Sequence, residues 1–252
     1  MGKKKQNKKP WEMKMSADGK SGDIFIYGDI ETYKWMDEDT TATSFKDDLD
    51  ALGDVSTINL YINSPGGSVF AGIAIHNMLK RHEAELNVYV DALAASIASV
   101  IAMAGDTIYM PKNSMMMIHN PWTIAIGNAQ EFRKKAEDLD RIGGSAVQSY
   151  LQKSGDKLDE TKLKEMLDAE TWLSADEAFQ YGLCDVVLEE NQMAASISEE
   201  LFAEYKNVPK ILVKETEQDL GPSKEEMEWR NRIAEEAKSN LAYVKTILEE
   251  MI

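Results

Sequence analysis

Between Asp23 and Leu188 the chain alternates short β-patterned runs with stretches of helical periodicity, and this alternation constrains the fold more than any other feature of its 252 residues. Asp23-Ile24-Phe25-Ile26-Tyr27-Gly28 alternates like a strand and ends in a turn residue, and Thr57–Ile62 and Leu86–Val90 repeat the pattern. Thr107–Met110 and Met115–Ile118 read as further short strands, and Cys184–Leu188 as a final one. Between them lie an acidic helical stretch, Thr43–Leu52, and a helix whose broad apolar face is Val69, Ile73, Ile75, Met78 and Leu79. A small-residue helix over Ala94–Ala104 and two shorter ones, Leu158–Leu167 and Ala175–Tyr181, complete the set. Strands interleaved with helices predict an α/β fold with largely parallel connections. The length permits one large domain with appendages.

Three segments stand outside this rhythm. Residues 1–22 are basic, then Gly- and Ser-containing, and read as a flexible arm. In Asn128–Lys153, Phe132, Leu139, Ile142, Val147 and Tyr150 recur at helical spacing, which predicts a long helix projecting toward a packing partner; Gly143-Gly144 weakens its middle. Residues 191–252 form a C-terminal extension: a helix over Ser198–Lys206, a linker over Asn207–Gly221, then an amphipathic helix. That last helix opens on a capping box at Ser223 and Glu226 and carries Trp229, Ile233, Ala237, Leu241, Val244 and Leu248 on one face. The main domain is expected over residues 23–190.

A formal net charge of -16 excludes a nucleic-acid-binding surface, because a phosphate backbone would be repelled. The lysines crowded at Lys3, Lys4, Lys5, Lys8, Lys9 and Lys14 read as a solvated tail, with attraction to an acidic partner as the sharper alternative. Cys184 is the single cysteine, so no intrachain disulfide forms; it reads as a buried structural thiol in a reducing compartment. No apolar run reaches membrane-spanning length and no secretory segment follows the basic start, so the expected location is the cytoplasm.

The residues that carry chemistry come in a fixed order. Asn63-Ser64-Pro65-Gly66-Gly67 ends a strand, Ala94-Ala95-Ser96 opens a second apolar segment, and Met117-Ile118-His119-Asn120-Pro121 supplies one of only three histidines. A glycine pair between strand and helix is either a plain tight turn or a source of backbone N–H groups facing a substrate carbonyl. It lacks the lysine and further glycines of a phosphate loop. Ser96 is either a helix cap or a nucleophile among small neighbours, with Ser99 as a competitor that packs inward. His119 is either a satisfied core residue or a base facing a cleft, whereas His76 and His82 read as ordinary helix residues. No histidine has metal-ligand spacing, so neither a metal nor another cofactor is expected. At this point a serine hydrolase and the structural alternatives remain equally open.

Ile62–Gly67, Ala94–Ser96, Met117–Pro121, Trp172-Leu173-Ser174-Ala175-Asp176-Glu177-Ala178 and Tyr181-Gly182-Leu183, in that order, resemble the proteolytic subunit of the Clp protease over about Asp23 to Leu188. The resemblance implies a crotonase-like fold of repeated β-β-α units wound into a superhelix, with Asn128–Lys153 as a projecting handle and the C-terminal helical tail as an addition. It implies Ser96 as nucleophile, His119 as general base, and the N–H groups of Gly67 and Ile97 as the oxyanion hole, with Gly66 beside the substrate. Counting back from Trp172 puts the third triad member on Glu170 rather than the usual aspartate, with Asp168 as the alternative. Ile97 replaces the usual methionine, a change of little weight because its donor is a backbone group.

The resemblance further implies self-association into heptameric rings, stacked as a tetradecamer around a closed chamber, with protein substrates and a possible Clp-type ATPase partner. The arm before Asp23 does not look like an unfoldase-docking loop, and the housekeeping subunit lacks a tail like residues 190–252. These departures resemble the phage and prophage head-maturation branch, whose substrates are capsid or scaffold proteins. The rival expectations are a housekeeping subunit fed by an ATPase, a crotonase-type acyl-CoA enzyme, and an inactive assembly scaffold.

Overall fold

The apolar alternation of the strand runs is used on one face: Ile24 and Ile26, then Ile58, Leu60 and Ile62, then Leu86, Val88 and Val90 are all buried against helices. The computed structural model describes residues 11–30, 42–189 and 205–209. The lysines at positions 3–9, residues 198–204 of the expected tail helix, the linker beyond Pro209, the capping box and the apolar stripe lie outside the described residues. In chain order the elements are β1 (Trp11–Met15), β2 (Ser21–Tyr27), α1 (Ala42–Asp50), β3 (Thr57–Ser64), α2 (Val69–Lys80), β4 (Glu85–Ala95), α3 (Ile97–Ala102), β5 (Thr107–Pro111), β6 (Met115–Ile118), α4 (Ala129–Ser154), α5 (Glu160–Asp168), β7 (Thr171–Ser174), α6 (Ala175–Gln180) and β8 (Val186–Leu188).

The main sheet runs β1-β2-β3-β4-β5-β8, parallel from β2 onward with β1 antiparallel at its edge. Its distinguishing feature is a fork at β4. Asn87–Tyr89 pair with β5, whereas Leu93–Ala95 pair with β6, which in turn pairs antiparallel with β7. The sheet face opposite the buried one carries a register-matched ladder of stacked rings, Phe25, Tyr61, Tyr89 and Tyr109, with centroids 4.8, 5.1 and 4.7 Å apart. Cross-strand aromatic pairs of this kind help fix register.

Four expectations need correction. The segment read as a flexible arm contains β1: Trp11 packs edge-on to Phe45 of α1 and its Nε1 donates to Asp48 Oδ2 at 2.8 Å, so residues 11–15 are sheet. Ala94 and Ala95, expected in a helix, end β4 instead, because the fork gives their backbone a partner in β6. His82 lies beyond α2, in the turn that follows it, where its Nδ1 accepts from the Ala84 N–H. Tyr205 and Lys206, expected at a helix end, are irregular backbone.

The long helix α4 begins at a capping box in which Asn128 and Glu131 satisfy each other's backbone N–H groups. Its first three turns are largely exposed, and Val147, Tyr150 and Ser154 are buried further along. Gly143 does not break it, because the missing side chain lets α4 approach Pro121. Cys184 is buried with Sγ near the carbonyls of Ile108 and Val186, and burial pushes its thiol up to about 11. Among the described residues no helix is long and apolar enough to cross a membrane.

Candidate active site

The fork in the sheet brings the predicted residues together. Ala95 pairs with Met117, and the Ser96 N–H continues the ladder by donating to the Met117 carbonyl at 2.9 Å. Ser96 therefore leaves β4 beside the point where His119 leaves β6. Its Oγ lies 2.7 Å from His119 Nε2. Ser96 has φ 54 and ψ -129 and makes no side-chain capping bond, so the helix-cap alternative is not realised. A serine held at positive φ between strand and helix is a strained turn that lifts Oγ off the backbone.

The glycine pair packs onto this turn. A Cβ on Gly66, at φ 105, would stand 2.6 Å from Ser96 Cβ and 3.2 Å from the Ile97 nitrogen. Gly67, at φ 140, is bridged to Ile30, and a Cβ there would fall 2.2 Å from the Ile30 carbonyl oxygen. Ser64, fully buried, fixes the loop by donating to Gly28 O at 2.7 Å and accepting from the Gly66 N–H at 3.1 Å. Among the described residues neither the Gly67 nor the Ile97 N–H donates a hydrogen bond. Ile97 opens α3, where the first N–H groups have no intrahelical acceptor.

Burial pushes the His119 imidazole below the ordinary histidine value; the Glu170 carboxylate opposes the shift and Lys206 adds to it. A neutral imidazole at neutral pH is the form that accepts a proton. The two candidate carboxylates are placed differently. β7 runs antiparallel to β6 with Ile118 opposite Thr171, so Glu170 is the residue that meets His119 one step past the ladder. Glu170 also has positive φ, 49. Asp168 ends α5 and its Oδ1 accepts from Asn120 Nδ2 at 2.6 Å. Among the described residues no hydrogen bond joins His119 to either carboxylate.

Ser99 turns inward. Its Oγ donates to the Ser96 carbonyl at 2.5 Å and lies 2.7 Å from the buried Tyr150 hydroxyl of α4. Tyr150 was legible only as one member of a helix stripe, and nothing in the sequence marks its contact with the serine turn. Beside Ser96 is a narrow apolar recess formed by Val69, Val100, Ile142 and Ala146. On the other side of His119 a cleft of about 460 Å³ runs past Pro121 and Trp122 to Glu170, Lys206 and Asn207. His76 is buried in α2 against Asn77 and is remote in sequence from these contacts. Among the described residues no cluster of three or more His, Cys, Asp or Glu side chains is arranged to hold a metal ion.

Comparison with known proteins gives a consistent result. A profile of the Clp protease family matches residues 13–191. The chain is 32% identical over 150 residues to ATP-dependent Clp protease proteolytic subunit 1 of Salinibacter ruber, which covers 58% of this chain and 63% of that protein. It is 35% identical over 145 residues to the ATP-dependent Clp protease proteolytic subunit of Pleurastrum terricola, covering 56% of this chain and 72% of that one. The corresponding subunit of Bacteroides fragilis is 33% identical over 143 residues, 56% and 68% of the two chains. The chain thus spans less than two thirds of the Salinibacter relative.

Proposed function

Because the chain belongs to the Clp protease family, we propose that it is a serine endopeptidase whose reaction runs through an acyl-enzyme on Ser96. The observation that carries this reading is the 2.7 Å contact between Ser96 Oγ and His119 Nε2 at a strained strand-to-helix turn. His119 takes the hydroxyl proton as Oγ attacks the scissile carbonyl. The Gly67 and Ile97 N–H groups receive the oxyanion, each such donor being worth about 3–4 kcal/mol in a transition state. His119 then protonates the leaving amine, and water repeats the sequence on the ester. Glu170 orients the imidazole, with Asp168 as the less favoured candidate since its Oδ1 is committed to Asn120. The apolar recess beside Ser96 suits an uncharged side chain next to the scissile bond.

The narrower role is head maturation in a phage or prophage, with capsid or scaffold proteins as substrates. Its support is the stretch of chain beyond residue 191, outside the family match. A housekeeping role with an ATPase partner is favoured instead by the names of the relatives, which are ATP-dependent subunits. Assembly into stacked rings is proposed on the exposed start of α4 and the exposed apolar residues Ile124, Ile126 and Phe132 near it, which suit packing against another copy.

Reaction of the full chain with a serine-directed phosphonate, followed by mass mapping, tests the chemistry. The adduct is expected on Ser96, with no adduct and no peptide hydrolysis in Ser96→Ala. Hydrolysis retained by Ser96→Ala would sink the assignment, and labelling that fails in both would revive a crotonase-type or scaffold role. Addition of ATP and a Clp ATPase, against addition of a capsid protein, separates the two roles.

A further inference from the structure

Residues Tyr205–Pro209 lie beyond the family-matched range, yet they are seated on the candidate site. The Tyr205 ring stands edge-on to His119, with centroids 5.6 Å apart, and edge-on to Trp172 at 5.8 Å. Its hydroxyl donates to the carbonyl of Pro65, the residue before the glycine pair. The backbone N–H groups of Lys206 and Asn207 both donate to Glu170 Oε1 at 2.7 Å, and Asn207 Nδ2 donates to the Ala169 carbonyl at 2.8 Å. These contacts touch three separate parts of the site: the glycine loop, the imidazole and the carboxylate. Two successive N–H groups on one carboxylate oxygen form a charge-assisted clamp of the kind that captures a peptide main chain.

We propose that Tyr205–Asn207 is an intramolecular peptide ligand of this site: the aromatic side chain fills a subsite made by Pro65, His119 and Trp172, and the following backbone engages the Glu170 carboxylate. The inference rests on the serine-peptidase reading for its consequence, though not for the binding itself. While the segment is bound, Glu170 is held by its amides rather than by His119, and the Tyr205 ring occupies the subsite between Pro65, His119 and Trp172 that a substrate side chain would need. Substrate enters when the segment leaves. A site that is open a fraction f of the time shows an apparent affinity reduced by that fraction, so a segment bound about 90% of the time weakens substrate binding about tenfold. The same subsite, once vacated, favours substrates that present an aromatic side chain to Trp172.

The test uses the full chain and two readouts. Hydrogen exchange in Ser96→Ala should find the Lys206 and Asn207 amides protected, and the protection lost when Tyr205→Ala is added. Hydrolysis of a fluorogenic peptide by Tyr205→Ala should rise about tenfold in kcat/KM, chiefly through KM. Lys206→Pro, which removes one donor to Glu170, should do the same, whereas Lys206→Ala, which keeps the N–H, should retain the protection. Freely exchanging amides in the parent chain overturn the proposal, as do protected amides with an unchanged KM in Tyr205→Ala. If no variant hydrolyses peptide or reacts with phosphonate, the peptidase reading fails, and exchange alone decides whether the segment occupies the cleft.

Discussion

Ser96 and Glu170 share a positive φ: at 54 and 49 they are the two non-glycine residues with positive φ among the described residues, and both act on the His119 imidazole, Ser96 by a 2.7 Å contact and Glu170 by its charge. Such conformations cost about 1–3 kcal/mol each and persist where the surroundings impose them. At Ser96 the imposing contacts are the ladder bond to Met117 and the Ser99 hydroxyl on its carbonyl. At Glu170 the chain turns from α5 into β7 within two residues, and its N–H donates back to the Leu167 carbonyl. Strain at residues on either side of one imidazole is what a site built for chemistry, rather than for packing, would carry.

Glu170→Ala should therefore lower kcat by about two to four orders of magnitude, the range expected when the group that orients a catalytic imidazole is removed. Asp168→Ala should cost only a few-fold, because what it loses is the bond to Asn120. Saturating substrate is needed, since Glu170→Ala also frees Tyr205–Asn207 and improves access. Activity lost in Asp168→Ala and kept in Glu170→Ala would reverse the assignment.

The pH profile follows from the sign of the His119 shift. Burial holds the imidazole below the ordinary value near 6.5, and the neutral form is the one that can accept the proton in the proposed reaction. Activity is thus full above that value and is lost as pH falls through the lowered one, so the acid limb of kcat/KM should lie below about 6.5. Lys206 contributes to the lowering, so Lys206→Met should move the limb upward. A limb above 6.5 in the parent chain would contradict the burial of the base.

Gly67→Ala should fail on both stability and turnover. The added methyl meets the Ile30 carbonyl at 2.2 Å, and φ 140 is a conformation that L-residues rarely adopt. The strain alone is about 1 kcal/mol or more, and relieving it moves the N–H proposed to meet the oxyanion. A lowered Tm together with a loss in kcat is expected. Unchanged turnover would remove Gly67 from the oxyanion hole.

How much of this was legible depends on how local each feature is. Strand and helix runs could be read because periodicity is carried by neighbouring residues, and the order of Gly67, Ser96 and His119 survives because β3, β4 and β6 present their ends side by side. The fork in β4 was not legible: nothing in Leu93-Ala94-Ala95 says that its partner changes, so its last alanines looked helical. β1 was hidden because one face of an edge strand meets solvent, leaving Trp11 and Met13 as a thin apolar signal amid lysines. Tyr205 had no signal at all, since its contacts are with residues 33 to 140 positions away.

The path from α4 to the serine turn gives a prediction about coupling. Ser99 Oγ spends its proton on the Ser96 carbonyl, so the Tyr150 hydroxyl is the donor in the 2.7 Å contact between them. Tyr150→Phe removes one buried bond and should cost about 1 kcal/mol. Ser99→Ala is worse: the Ser96 carbonyl keeps the Ser99 N–H at 3.0 Å, but the buried Tyr150 hydroxyl is left without an acceptor, at about 1–3 kcal/mol. Removing both polar groups together removes the orphan, so Ser99→Ala/Tyr150→Phe should be more stable than Ser99→Ala alone. Urea unfolding of the four proteins checks the sign of that coupling. Phosphonate labelling rates for Ser96 in the same set show whether the contact also positions the nucleophile: a purely structural role changes the unfolding midpoint and leaves the labelling rate where it was.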